Sequence, residues 1–174
     1  MRTLPPYSTI MGANDVSHFL HTVEERKNEK VPLDQFYRET ETEKKRMWTL
    51  INPGLLLSQA YIYFVYGQEK GLLDGFDISN FFSQITVNYS GYSDLPEREK
   101  SKLIRRRLRN SIAHCRYDIE IRTTDGEINK DGDIVFVFTD EKHDKSDKIK
   151  FEMNLPTFGN IVEGAGAHIL NALR

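Results

Sequence analysis

Glu97-Arg98-Glu99-Lys100-Ser101-Lys102-Leu103-Ile104-Arg105-Arg106-Arg107-Leu108-Arg109-Asn110-Ser111-Ile112-Ala113-His114-Cys115 has the apolar period of a helix, and Asp118-Ile119-Glu120-Ile121-Arg122 just beyond it alternates like a strand. Pro96 sits where that helix should begin. On a wheel of about 100° per residue, Ser101, Ile104, Leu108, Ile112 and Cys115 form one stripe, with Ser111 at its edge. That stripe is expected to face the core. Arg106, Asn110 and Ala113 lie opposite. Arg109 and His114 are about 140° apart and flank the outward face, with Asn110 between them. Arg107 falls near His114, and Arg105 near Arg109. The outward face is therefore read as basic, with a histidine and an amide near its centre.

Working outward, the strand signals continue at residues 134–138 and 149–153, separated by the turn dipeptides Asp125-Gly126 and Asp131-Gly132 and a charged loop over residues 140–148. Pro156 opens a last helix through Ile161, Val162, Ile169, Leu170 and Leu173. Upstream, residues 1–13 read as an irregular arm. Asp15 is placed to cap a helix over residues 16–27 that presents Phe19, Leu20 and Val23 on one face. A second helix is expected over 33–51, bending at Pro53, with residues 55–68 as its buried continuation and 78–87 as a shorter, helical apolar element. The expected fold is thus mainly α: a helical bundle with a small antiparallel sheet, about residues 117–153, inserted before the C-terminal helix. Residues 14–174 are read as a single domain.

Composition narrows the function. The chain has 174 residues and 20.2 kDa, with 29% charged and 39% hydrophobic residues, which suits one globular domain and not a disordered chain. Lys+Arg 24 against Asp+Glu 26 gives a net charge of −2, so any nucleic-acid contact must come from a local patch. One cysteine, Cys115, excludes an intramolecular disulfide and any Cys-rich zinc site. It is read as a buried apolar residue, and a reducing, cytoplasmic location fits. No secretory leader is visible over residues 1–11. Residues 47–67 carry no charge, but Asn52, Pro53 and Gly54 break the run, so a core helix is expected and not a membrane span.

The residue types of the basic helix suit one chemistry. Cutting an RNA phosphodiester without a metal needs the 2′-hydroxyl deprotonated and the leaving 5′-oxygen protonated. Histidine titrates near neutrality and serves as acid or base. Arginine keeps its charge and offers forked donors to a pentavalent phosphorane. Asn110 is placed to orient His114 or the phosphate. Lys102, Arg105, Arg106, Arg107 and Arg116 are the candidate RNA-backbone contacts. One exposed helix face is too open for catalysis, and a second copy laid against it would close a cleft.

Arg109-Asn110-Ser111-Ile112-Ala113-His114 resembles the signature of the HEPN superfamily, R-x4–6-H, often with a polar residue after the arginine. The looser resemblance extends over about residues 15–174, and it is similar in particular to bacterial plasmid-borne and abortive-infection-like members. It implies a helical bundle, a homodimer with the active site at the dimer interface, and metal-independent endoribonuclease activity that leaves a 2′,3′-cyclic phosphate and a 5′-hydroxyl. It implies Arg109 and His114 as catalytic and Asn110 as supporting, with no metal and no cofactor. It also implies RNA as substrate, a toxin–antitoxin or phage-defence setting, and an antitoxin as a possible further partner. Arg107 also fits the spacing to His114. Some members carry a tyrosine two places after the histidine, whereas here Arg116 holds that place and the tyrosine is Tyr117. Two other readings stay open: a catalytically silent HEPN module that binds RNA, nucleotide or a protein, and a helical dimerisation protein.

Three bland readings complete the survey. His18 and His21 are read as surface or packing residues, because no third ligand is arranged with them. His143 is read as solvated. The run Gly164-Ala165-Gly166-Ala167-His168 is read as a close-packing helix surface, since it lacks the strand and loop of a phosphate-binding motif.

Overall fold

A computed structural model describes residues 2–3, 7–32, 34–36, 38–39, 52–123, 131–142 and 146–173. The chain forms two compact units, residues 5–58 and residues 1–4 with 59–174.

In the first unit, α1 spans Tyr7–Glu25. It begins well before residue 16, so the irregular arm expected over 1–13 is replaced in part by helix, and Asp15 lies inside the helix and not at its cap. Phe19 meets Phe36 edge-on at 5.7 Å, and the Arg26 guanidinium sits 5.0 Å over the Phe36 ring while pairing with Glu29 and Glu39. Leu20 and Val23, expected on an apolar face, are exposed. Residues 34–36 and 38–39 are helical, but most of the helix expected over 33–51 lies outside the described residues. The break at Pro53 is a helix start: Asn52 Oδ1 accepts from the Gly54 and Leu55 amides at 2.9 and 3.1 Å, capping α2, Pro53–Ala60.

The larger unit continues from α2 into a widened π-helical stretch, Tyr61–Gly67. This stretch is only half core. Phe64 and Val65 are buried, but Tyr61, Ile62 and Tyr66 are exposed. A short 3₁₀ turn, Ser79–Gln84, and strand β2, Thr86–Asn88, stand where a helix is expected over 78–87. Then come α3, Glu97–Ala113; β3, Tyr117–Ile121; β4, Ile134–Glu141; β5, Lys148–Asn154; and α4, Leu155–Ala172. With β1, Arg2–Thr3, the strands form one antiparallel sheet in the order β1-β3-β4-β5-β2. The predicted insert supplies its centre. The two edges are short strands from outside it, one of them from the arm.

Alternation sets the sheet's packing. Phe136 and Phe138 are two apart on β4, share a face, and pack at a tilt against Phe158 of α4 at 4.6 and 5.3 Å between centroids. Phe151 of β5 joins Phe138 at 5.3 Å. Asn154 caps α4 by accepting from the Thr157 amide at 2.9 Å. The small residues of α4 allow a close approach: a Cβ on Gly166 would meet the Tyr63 ring at 3.0 Å. His168 donates to the Asp74 carbonyl at 3.0 Å and lies against Phe76. No helix among the described residues is long and apolar enough to cross a membrane.

Candidate active site

The first turn of α3 carries Glu97 and Glu99, which complement the positive end of the helix dipole. Ser101, Ile104, Leu108, Ser111 and Ile112 are buried, as the apolar stripe requires, and so is Leu103, which the wheel puts off that stripe. The helix stops at Ala113. His114 is the capping residue, and Cys115 adopts φ 52. The Cys115 amide donates to the Ile112 carbonyl at 3.2 Å and the Arg116 amide to the Ser111 carbonyl at 2.7 Å. These are the two bonds of a Schellman ending, with Cys115 in the left-handed position that glycine usually fills. Cys115 is therefore exposed and not part of the core stripe. The same ending projects His114 off the helix tip, where its imidazole is exposed and takes no hydrogen bond from the described residues.

Arg109 and Asn110 are half-buried on the last turns. Arg109 Nη1 donates to Asn110 Oδ1 at 3.1 Å and Nη2 to Glu69 Oε1 at 2.9 Å. Asn110 Nδ2 donates to Asp140 Oδ2 at 3.1 Å. Asn110 thus sits where the wheel places it, between Arg109 and His114. A cleft of about 1330 Å³ has Arg109 and Asn110 on its wall, and a smaller one of about 490 Å³ has His114 and Asn110. Asn110 is common to both.

The cations divide. Arg106 and Lys102 are exposed on the larger cleft, and Arg116 lines the smaller one, donating to the Glu141 carbonyl at 3.0 Å. Arg105 is half-buried, with Nη1 donating to the Leu73 carbonyl at 2.7 Å; burial pushes its guanidinium below the usual arginine range. Arg107 differs from the expectation. It is only 4% exposed and is tied to Asp140 Oδ2 at 2.9 Å and to Asp147. It is committed to the inner face of α3 and is not a surface phosphate contact. The larger cleft is also less basic than the helix that lines it: Arg98, Lys102, Arg105, Arg106 and Arg109 face Glu69, Asp74, Asp77, Glu97 and Glu99.

Asp140 is the functional-site residue that the sequence reading misses. It reads as part of a charged loop, yet it lies at the end of β4, 3% exposed, with Arg107, Asn110 and Arg116 around its carboxylate. The strand pattern offers only a faint signal: continuing the alternation from Phe136 and Phe138 puts residue 140 on the inward face.

His21 pairs with Glu25, His18 Nε2 lies 3.4 Å from the Thr22 hydroxyl, and His143 is outside the described residues. Tyr117 is half-buried against Phe138, and that burial raises its phenol above the ordinary value. No group of three His, Cys, Asp or Glu arranged to hold a metal occurs among the described residues.

Compared with known proteins, the chain matches a family model described as HEPN pEK499 p136 over residues 11–172. Neither the curated proteins nor the solved structures give a match.

Proposed function

As the chain belongs to the HEPN pEK499 p136 family, we propose that it is a metal-independent endoribonuclease acting on single-stranded RNA. The observation that carries this reading is the arrangement at the end of α3: the Arg109 guanidinium held by Asn110 and Glu69, the exposed imidazole of His114 five residues on, and Asn110 lining the clefts of both. The 2′-oxygen attacks phosphorus and the bond to the 5′-oxygen breaks. A histidine takes the 2′-proton and a histidine returns one to the leaving 5′-oxygen. Arg109 neutralises the phosphorane, where fixed donors are worth most. The products are a 2′,3′-cyclic phosphate and a 5′-hydroxyl.

The two catalytic side chains open onto different clefts of one copy. A second copy, related by a two-fold axis, supplies the other acid–base group and narrows the space around the scissile phosphate. Of the candidate backbone contacts, Lys102, Arg106 and Arg116 are exposed, and these meet RNA phosphates under this reading. The biological role under this reading is that of a toxin or phage-defence effector.

Purified protein should cut single-stranded RNA in excess EDTA and leave cyclic-phosphate ends. His114→Ala and Arg109→Ala should each abolish cutting with circular dichroism unchanged. The acidic half of the larger cleft favours one alternative, a silent HEPN module that binds a ligand without cleaving it. Salt-dependent RNA binding by a wild-type protein that never cuts would establish that alternative and end the nuclease reading.

A further inference from the structure

Asn110 has two chemically different ends, and the direction of its amide decides what it can do. Its Nδ2 faces Asp140 Oδ2 at 3.1 Å, and its Oδ1 faces Arg109 Nη1 at 3.1 Å. A carboxylate only accepts and a guanidinium only donates, so this is the single orientation that satisfies both neighbours. Reversed, the amide would set an N–H against the Arg109 donors and a carbonyl against the carboxylate.

Asp140 is itself held firmly. Arg107 Nη1 donates to the same Oδ2 at 2.9 Å, and Arg116 Nη1 stands 3.6 Å from Oδ1. Its strand is tied through Thr139 to the last turn of α3 and to the chain just beyond it. The Ser111 hydroxyl donates to the Thr139 carbonyl at 2.9 Å, and the Thr139 amide donates to the Arg116 carbonyl at 2.9 Å. The carboxylate has no freedom to follow the amide if it turns.

We infer that Asp140 is a positioning residue for RNA cleavage: its buried carboxylate fixes the direction of the Asn110 amide, and the amide oxygen in turn aims the Arg109 guanidinium. The inference rests on the nuclease reading of the site but not on any contact between Asp140 and RNA. It assigns the β4 end a part in catalysis that the R-x4–6-H helix alone does not contain. Asp147 supplies the internal control. It also pairs with Arg107, so losing it disturbs the same buried guanidinium, but it makes no bond to Asn110.

The test compares Asp140→Asn, Asp147→Asn, Asn110→Ala and the double variant D140N/N110A. D140N should lower kcat by about 10- to 100-fold, the scale of a misaimed catalytic group, with KM for RNA within about two-fold of wild type. D147N should lower thermal stability as much as D140N and leave kcat unchanged. In D140N/N110A the losses should not multiply, because both act through one amide. Equal kcat losses in D140N and D147N, or multiplying losses in the double variant, would reduce Asp140 to a fold-stabilising residue and overturn the inference. If wild type cuts no RNA, the nuclease reading fails, and nitrogen-15 spectra of the Arg109 side chain decide the positioning claim alone. Rotation about the Arg109 guanidinium should quicken in D140N and not in D147N. Unchanged rotation in D140N refutes it.

Discussion

Deleting the guanidinium of Arg107 would remove the nearest counter-charge of both Asp140 and Asp147, leaving Arg116 at 3.6 Å from one and Lys142 at 3.7 Å from the other, and both carboxylates are largely shielded from water. Breaking a buried pair in this way costs about 3–5 kcal/mol. Arg106, one position along, is exposed and touches no described acid. Arg107→Ala should therefore lower the urea midpoint sharply, whereas Arg106→Ala should change stability by less than about 0.5 kcal/mol and flatten the log–log salt dependence of RNA binding by about one unit. The reverse pattern would return Arg107 to the RNA surface. The wheel puts Arg106 opposite the apolar stripe and Arg107 on its flank near His114, but it does not by itself bury either. What separates them is a pair of carboxylates more than thirty positions away, across a β-hairpin. Arg109 and His114 were legible because the two sit on one helix at a readable spacing. Asp140 was not, because its role exists only once β4 is laid beside α3.

At the scale of elements, local signals located the α3 start, β3, β4, β5 and α4. They failed for β1 and β2, which are two and three residues long and too short to alternate. They also failed at the end of α3, where the helical wheel was extended two residues too far. Cys115 holds a conformation that costs a non-glycine residue about 1–2 kcal/mol. Cys115→Gly should recover roughly 1 kcal/mol and leave the position of His114, and hence RNA cleavage, intact. Loss of stability in thermal unfolding would contradict the Schellman ending. The β4–β5 hairpin makes a prediction in pH. The Arg107 guanidinium holds the Asp147 carboxyl below its ordinary 3.8. A depressed carboxyl stabilises the fold in full above about pH 5, and that contribution drains away as pH falls through the folded-state value. The gap in thermal midpoint between wild type and D147N should stay constant from about pH 5 to 7 and shrink as pH falls below the ordinary carboxylate range. A gap that widens in acid would mean that Asp147 is not the charged partner of Arg107.

For the whole molecule, the decisive question is how many copies make one working site. Within one chain Arg109 and His114 face different clefts, and among the described residues His114 is the one imidazole at the α3 tip. Strand scission needs one group to remove a proton and another to deliver one, and a single exposed imidazole must do both in turn. In the proposed dimer, two copies related by a two-fold axis would divide the labour. Mixing distinguishes the cases by arithmetic. When wild type and His114→Ala are combined in equal amounts and allowed to exchange subunits, about one quarter of the dimers carry two imidazoles. If both are required, activity per total protein should fall to about one quarter of the undiluted wild type, and excess variant should inhibit further. If each copy works alone, activity should stay at about one half whatever the time allowed for exchange. The one-half result, or a rate that stays proportional to protein down to concentrations where sedimentation shows only single chains, would move the chemistry into one subunit and dismiss the shared site.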